Sequence, residues 1–179
     1  PINPGKTILD VKNLSVFNSV GRKIVNQISL EIKAGEILAI AGVQGNGQSE
    51  LARALVNLES HVEGSIKINN QEIVGKSVRD SLRSGVAFIP ESRELDGLIG
   101  SFSIAENLIL DIHDLAPVAS SGQLNKDYIR KNAQKLVKEF DVRAQSIFEN
   151  SSSLSGGNKQ KVVLARELSR TVELVIASQ

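Results

Sequence analysis

The stretch Glu36–Val56, EILAIAGVQGNGQSELARALV, sets the fold class of this 179-residue chain. It opens on the mainly apolar segment Glu36–Ala41, which predicts a strand, and then passes through three glycines within Gly42–Ser49. From Ser49–Val56 the apolar residues recur at helical spacing. A strand, a glycine-rich loop and a helix in this order are the context of a phosphate-binding P-loop. The sequence therefore predicts an α/β fold built around this unit.

The glycines and the serine of the loop each have a role in that motif. Gly42, Gly45 and Gly47 let the backbone turn tightly and direct successive N–H groups at phosphate oxygens. The hydroxyl of Ser49 is the expected Mg²⁺ ligand. For this motif taken alone, a glycine-rich turn without a ligand is the alternative. The predicted phosphate-binding residues are Gly42, Gln44, Gly45, Asn46, Gly47, Gln48, Ser49 and Glu50.

Gln48 stands where the motif Gly-x-x-x-x-Gly-Lys-Ser/Thr has its lysine. Glutamine keeps a hydrogen-bond donor but removes a charge, and a hydrogen bond to a charged group contributes about 1.5–3 kcal/mol. We expect phosphate binding to weaken by about tenfold in affinity. Phosphoryl transfer should lose more, because charge accumulates on the transferred group in the transition state. The site is therefore predicted to bind rather than to cleave.

Composition excludes several classes of protein. The net charge of +1 argues against a broad nucleic-acid surface, and the lack of cysteine excludes a disulfide framework. No apolar run approaches the roughly 20 residues of a membrane helix. The chain has no methionine and stops just after Leu174–Ser178, an apolar stretch that predicts a parallel strand buried on both faces. We expect it to be part of a longer polypeptide.

The hydrophobic pattern changes period along the chain. Alternation over residues 8–12 and 24–32 predicts half-exposed antiparallel strands, and Gly64–Ile73 predicts a hairpin around Asn69-Asn70. From about Ser101 to Leu168 the period is helical. We expect an α/β P-loop core with an antiparallel β-subdomain over residues 1–100, a helical subdomain over 101–168, and a return strand of the core over 169–179.

A second glycine motif, Leu154–Lys161, begins a predicted helix. The adjacent Gly156 and Gly157 cost about 1 kcal/mol each relative to alanine at a helix start. A sequence accepts that cost where another backbone or an anion must approach closely. Ser155 at the N-cap and the N–H groups of Gly157 and Asn158 would present donors to a phosphate.

This motif resembles the signature of the ATP-binding cassette (ABC) family, and the resemblance extends over essentially the whole chain. It is closest to the C-terminal cassette of the tandem-cassette subunits that drive bacterial importers of simple sugars and nucleosides. The resemblance implies the ABC-type P-loop NTPase fold, a mixed sheet with flanking helices and an antiparallel β-subdomain, interrupted by a helical subdomain. The segments that carry it, in the family's order, are Gly42–Leu51, Ile89–Arg93 and Ser155–Lys161.

The chain departs from an active cassette at three positions. In the family, the strand after the signature helix ends in Asp-Glu, which holds Mg²⁺ through water and polarises the attacking water. Ser178 and Gln179 align with that pair, and Gln48 replaces the P-loop lysine. A neutral amide cannot act as a general base. The resemblance therefore implies no catalytic residue in the chain's own site, and slow or absent hydrolysis by this segment alone.

The family works as a head-to-tail pair of cassettes, with each ATP held between the P-loop of one and the signature of the other. The resemblance implies that Ser155, Gly156, Gly157 and Asn158 complete the hydrolytic site of a second cassette in trans. The implied cofactors are ATP and Mg²⁺. The implied partners are a second cassette on the same polypeptide, transmembrane permease subunits contacted through roughly 101–150, and indirectly a solute-binding protein, but no nucleic acid. The implied location is the cytoplasmic face of a bacterial plasma membrane.

For two residues and for the function as a whole, the sequence is compatible with more than one role. Phe17 is a candidate for stacking on adenine, because the family often uses an aromatic residue there; a half-buried strand phenylalanine is the alternative. Glu91 lies near the position of a glutamine that senses Mg²⁺ in such cassettes. Two other functions also remain: a soluble ABC-type ATPase acting on nucleic acid or ribosomes, and a non-catalytic nucleotide-sensing module.

Overall fold

The computed structural model describes residues 5–178, which form two compact units. The core unit runs up to Phe88 and resumes at Val172–Ser178, and the helical unit is Ile89–Thr171. Each unit has its own hydrophobic core. The elements in chain order are β1 (Thr7–Phe17), β2 (Lys23–Lys33), α1 (Gln48–Ala54), β3 (Val62–Ile68), β4 (Gln71–Glu72), α2 (Val78–Arg83), β5 (Val86–Ile89), a π-helical turn (Arg93–Gly97), α3 (Ile104–Asn107), β6 (Ala119–Ser120), β7 (Gln123–Leu124), α4 (Lys126–Glu139), a 3₁₀ turn (Ser151–Ser153), α5 (Gly156–Leu168) and β8 (Leu174–Ala177).

An antiparallel sheet in the order β2-β1-β3-β4 dominates the core unit. The two strands predicted from alternation are confirmed as β1 and β2, which pair with Val11 opposite Leu30. The predicted hairpin is confirmed as β3 and β4. Its turn residues Asn69 and Asn70 have φ angles of 49° and 65°, a left-handed conformation that asparagine tolerates better than most residues.

The prediction of a strand over Glu36–Ala41 is wrong, because these residues form no strand in this structure. These residues adopt no regular structure and pair with no strand of the described chain. Ile37 is 97% exposed, and Leu38 and Ile40 are also exposed. An apolar segment forms a strand only where a neighbouring strand satisfies its backbone N–H and C=O groups, and residues 5–178 provide none here.

The terminal strand forms, but it is not buried on both faces as predicted. β8 pairs with β5 in a two-stranded sheet of the core unit. Leu174 and Ile176 are buried in the core, whereas Val175 between them is 48% exposed. The described residues cover one face of β8 only, so its side chains alternate between core and solvent.

The helical unit is held together by the packing of α3, α4 and α5. Its core contains Ile104, Leu136 and Val162, all buried. α4 begins where the side-chain oxygen of Asn125 accepts a hydrogen bond from the Tyr128 N–H at 3.0 Å. Within residues 5–178, no helix combines the length and the apolar character needed to cross a bilayer.

A buried charge network lies at the C-terminal end of α5. The Arg166 guanidinium donates to the Gly97 carbonyl oxygen at 2.9 Å and to Glu167 at 3.0 Å. Arg170 bonds the other Glu167 oxygen at 2.9 Å, and its Nε lies 2.9 Å from an Asp111 carboxylate oxygen. Burial first, and then the nearby Glu167 carboxylate, raise the pKa of Asp111 above its usual value, against the opposing effect of the two arginines.

The raised pKa of Asp111 predicts a pH-dependent contribution to stability. A folded state that holds this proton more tightly than the unfolded state is favoured below the unfolded pKa, and that advantage is lost as pH rises through the folded pKa. We therefore expect the free energy of unfolding of the wild type, relative to Asp111→Asn, to fall as pH rises above about 4. Urea denaturation across this range measures the difference. Asp127→Asn, at an exposed position on α4, controls for loss of a surface carboxylate. A difference that grows with pH would show that the Arg170 pair dominates.

Candidate functional site

The glycine-rich loop leads directly into α1 in the core unit, so the predicted phosphate-binding residues form one continuous feature. Residues 42–46 are exposed to solvent, and Gly47 is the buried N-cap of α1. Gly47 has a φ of 95°, and a Cβ there would lie 3.1 Å from the Ile24 carbonyl oxygen of β2. Glycine is therefore required where the loop passes β2. The amides of Gln44 and Asn46 lie on the exposed part of the loop.

The Gln48 side chain folds back across its own loop. Its amide nitrogen donates to the Val43 carbonyl oxygen at 3.3 Å. The same nitrogen lies 1.9 Å from where a Cβ on Gly42 would be, so only glycine at 42 admits this arrangement. One of the two N–H groups of the amide that replaces the lysine is thus engaged with a loop carbonyl. A phosphate would have to draw this N–H away from Val43 to use it.

The hydroxyl of Ser49 lies in the first turn of α1, next to Glu50, and both residues are half-buried. The described residues contain no cluster of three or more His, Asp or Glu side chains that could hold a metal. Mg²⁺ often takes most of its ligands from phosphate oxygens and water. The residues present therefore fit an Mg²⁺ that arrives with a nucleotide and takes one protein oxygen, from Ser49.

The signature segment begins α5 in the helical unit, with Ser155 at the N-cap as predicted. The Ser155 hydroxyl accepts a hydrogen bond from the Asn158 side-chain amide at 3.0 Å. The Asn158 oxygen in turn accepts from the Arg143 N–H at 2.8 Å. Within the described chain, Ser155 makes no side-chain bond to a backbone N–H of its helix. The N–H groups of the first turn are therefore left for another acceptor.

The two adjacent glycines of the signature have different surroundings. A Cβ on Gly156 would lie 3.2 Å from a guanidinium nitrogen of Arg93. Gly157 is exposed, and apart from its chain neighbours and helix backbone no atom of residues 5–178 lies within 4 Å of its Cβ position. Next to them is an open cleft of about 380 Å³, whose lining includes Arg143, Gln145, Ser153, Ser155 and Asn158. The helix start thus presents backbone donors to open space.

The remaining predicted site residues lie in the core unit or outside the described chain. Phe17 ends β1 half-buried, and the Lys23 ammonium lies 5.2 Å from its ring centroid, a cation–π distance. Ser178 follows β8 and is half-buried. Gln179 lies outside the described residues. The P-loop belongs to one compact unit and the signature to the other.

Sequence reasoning missed the contacts between Arg93–Gly97 and α5. The segment Ile89–Arg93 stood out only as a family resemblance. Neither periodicity nor motif spacing indicated that Arg93 lies over Gly156.

Comparison with known proteins decides the family. The family model described as "ABC transporter" matches residues 25–177. The chain belongs to the ABC transporter family. The resemblance found in the sequence is therefore confirmed at the level of the family.

The relatives of this ABC chain include named importer subunits. It is 39% identical over 176 residues to the nucleoside import ATP-binding protein NupA of Lactococcus lactis, covering 98% of this chain and 35% of NupA. It is also 39% identical to the guanosine import ATP-binding protein NupO of Bacillus subtilis, covering 98% and 34%. Identity to the ribose import ATP-binding protein RbsA of Shouchella clausii is 35%, covering 99% and 34%. The chain spans about one third of the length of these relatives.

A solved structure shows the same fold. The ATP-binding cassette MJ0796, in a dimeric post-hydrolysis state bound to ADP and Pi, matches with a TM-score of 0.75 at 22% identity, covering 94% of this chain and 72% of that chain. The predicted α/β P-loop NTPase fold of the ABC type is confirmed.

Proposed function

We propose that this chain is an ATP-binding cassette of a bacterial importer for nucleosides or simple sugars. The relatives that match it over nearly its whole length are named as nucleoside, guanosine and ribose import ATP-binding proteins. The observation that carries the proposal is the start of α5, where Gly157 faces open space beside uncapped N–H groups. Such a helix start suits a phosphate brought by another molecule.

The chain's own nucleotide site binds ATP with Mg²⁺ but cleaves it slowly or not at all. Its loop supplies backbone N–H groups and the Ser49 hydroxyl. Gln48 is neutral and bonded to Val43, and Ser178 and Gln179 supply neither a carboxylate ligand nor a base. Binding tolerates the loss of these charges better than the transition state does.

The signature, Ser155 to Asn158, closes over ATP bound to the P-loop of a second cassette on the same polypeptide. Hydrolysis occurs at that shared site. Residues 101–150 contact transmembrane permease subunits, which a solute-binding protein loads with solute. The protein acts at the cytoplasmic face of the plasma membrane, and nucleic acid is not a partner.

Transport by the assembled protein tests this function. The full-length polypeptide is reconstituted into lipid vesicles with the membrane subunits that co-purify with it, and uptake of labelled guanosine, adenosine and ribose is measured. We expect uptake of at least one of these solutes with ATP on the cassette side, and none with ADP. ATP turnover stimulated by RNA or ribosomes, without co-purifying membrane subunits, would instead identify a soluble ABC-type ATPase.

A further inference from the structure

The π-helical turn Arg93–Gly97 lies along one face of α5. Arg93 contacts Gly156 and Gln160, Glu94 contacts Lys159, and Gly97 contacts Val163 and Arg166. These helix positions are spaced three or four residues apart, so they form a single stripe along α5. The turn therefore follows the signature helix from its first residue through three turns. π-helical turns are rare and occur frequently at functional sites.

The two ends of this contact differ in character. At the C-terminal end, the Gly97 carbonyl accepts a hydrogen bond from buried Arg166 at 2.9 Å. A Cβ on Gly97 would lie 3.1 Å from the Val163 side chain, so the backbone approaches α5 closely. This end is a packed, buried anchor. It fixes the turn to the middle of the helix.

At the N-terminal end the contacts are polar and largely exposed. Arg93 donates to the Gln160 side-chain oxygen at 3.1 Å. The Lys159 ammonium bonds Glu94 at 2.6 Å, and the Lys159 side chain is 14% exposed while that of Glu94 is 65% exposed. Exposed pairs of this kind contribute little to stability. What distinguishes these two pairs is their placement beside the signature rather than their strength.

The charge at this end is unusual for a helix start. The first turn of α5 contains no acidic residue, and the Arg93 guanidinium lies against Gly156. A cation near the positive end of a helix is unfavourable by itself and becomes favourable when an anion binds there. The guanidinium also fills the space over Gly156 while leaving Gly157 open. Gly156 is thus covered by Arg93, a residue of the same unit, whereas the space over Gly157 is left for a bound ligand.

We propose that Arg93 is a positioning residue for the signature: through Gln160 and Gly156 it sets where the start of α5 is held. The inference rests on the proposed trans role of Ser155 to Asn158. Arg93 would then control the rate at which the second cassette's ATP is cleaved, while leaving nucleotide binding to either separate P-loop unchanged. Glu94 supports it by holding Lys159 against the same turn.

The test uses the full-length polypeptide with its co-purified membrane subunits. Arg93→Gln should lower kcat for ATP by about fivefold, the size expected from losing one exposed hydrogen bond. Arg93→Lys, which keeps the charge, should recover part of that loss. Arg93→Gln and Gln160→Ala should be non-additive in a double-mutant cycle, because both remove the same bond. Lys76→Gln removes one positive charge at an exposed position of the core unit, outside both glycine-rich segments and outside residues 101–150, and should leave kcat unchanged.

Two results would overturn the inference while leaving the proposed function standing. One is a kcat for Arg93→Gln equal to that of Lys76→Gln, in a protein whose turnover Gly157→Leu abolishes. The other is additive losses for Arg93→Gln and Gln160→Ala together with a lowered melting temperature, which would indicate a merely structural contact. If Gly157→Leu leaves turnover intact, the trans role itself is wrong and the inference falls with it.

Discussion

Replacing Gly157 by leucine in the full-length polypeptide should lower ATP turnover by at least about 100-fold, the size of loss expected when a donor can no longer reach the transition state. The affected residue lies outside the P-loop of its own cassette. The leucine side chain would occupy the open space in front of the uncapped N–H groups of α5, where the proposed γ-phosphate of the second cassette's ATP is bound. The loss would therefore report on a site completed in trans.

The structure makes Gly157 a cleaner probe than its neighbour. No described atom beyond its chain neighbours and own helix comes within 4 Å of the Gly157 Cβ position, whereas a side chain on Gly156 would displace Arg93. The helical unit should consequently fold normally with leucine at 157. Phosphate release measures turnover, and thermal unfolding followed by circular dichroism checks the fold.

Two glycine-to-alanine substitutions, one in the signature and one outside it, distinguish an effect on the signature from a general effect of removing a glycine. Gly157→Ala should already reduce turnover. Gly100→Ala should not, because a Cβ at Gly100 makes only an ordinary contact, 3.6 Å from Ser152. Unchanged turnover in both Gly157 variants would contradict a role of this signature in hydrolysis.

The local sequence pattern predicts the strands whose partners are close in the sequence; for β8, whose partner β5 is distant, it predicts the strand but not its exposed face. β1 and β2 are joined by a short connection, and β3 and β4 by Asn69-Asn70, so local alternation and turn chemistry specify them. The segment Glu36–Ala41 has an equally strong apolar pattern, yet Ile37 is almost fully exposed. A strand at this segment would need a partner strand that is distant in the sequence, and the periodicity of apolar residues does not reveal whether such a partner is present.

The same distinction applies to the candidate site. The N-cap position of Ser155 followed from the residue types at a helix start, and it is confirmed. The direction of its hydroxyl toward Asn158, and of the Gln48 amide toward Val43, depends on side-chain rotamers and tertiary neighbours. The contact of Arg93 with Gly156 joins residues more than sixty positions apart, so only the folded structure reveals it.

Restoring lysine at position 48 should tighten ATP binding by about tenfold without raising turnover, because an ammonium makes stronger hydrogen bonds to phosphate than an amide does. The Gln48 amide holds one of its two N–H groups on the Val43 carbonyl, whereas the longer lysine can extend past that carbonyl to a phosphate. Calorimetric titration of the full-length polypeptide with ATP measures the affinity. Gln44→Lys adds the same charge elsewhere on the exposed loop and should have a smaller effect, since a general electrostatic attraction is screened by salt.

Turnover of the Gln48→Lys variant should stay unchanged because Ser178 and Gln179 still provide no metal ligand and no base. A large gain in turnover from Gln48→Lys alone would mean that another carboxylate serves this site, and that the end of β8 does not mark the position of the catalytic pair.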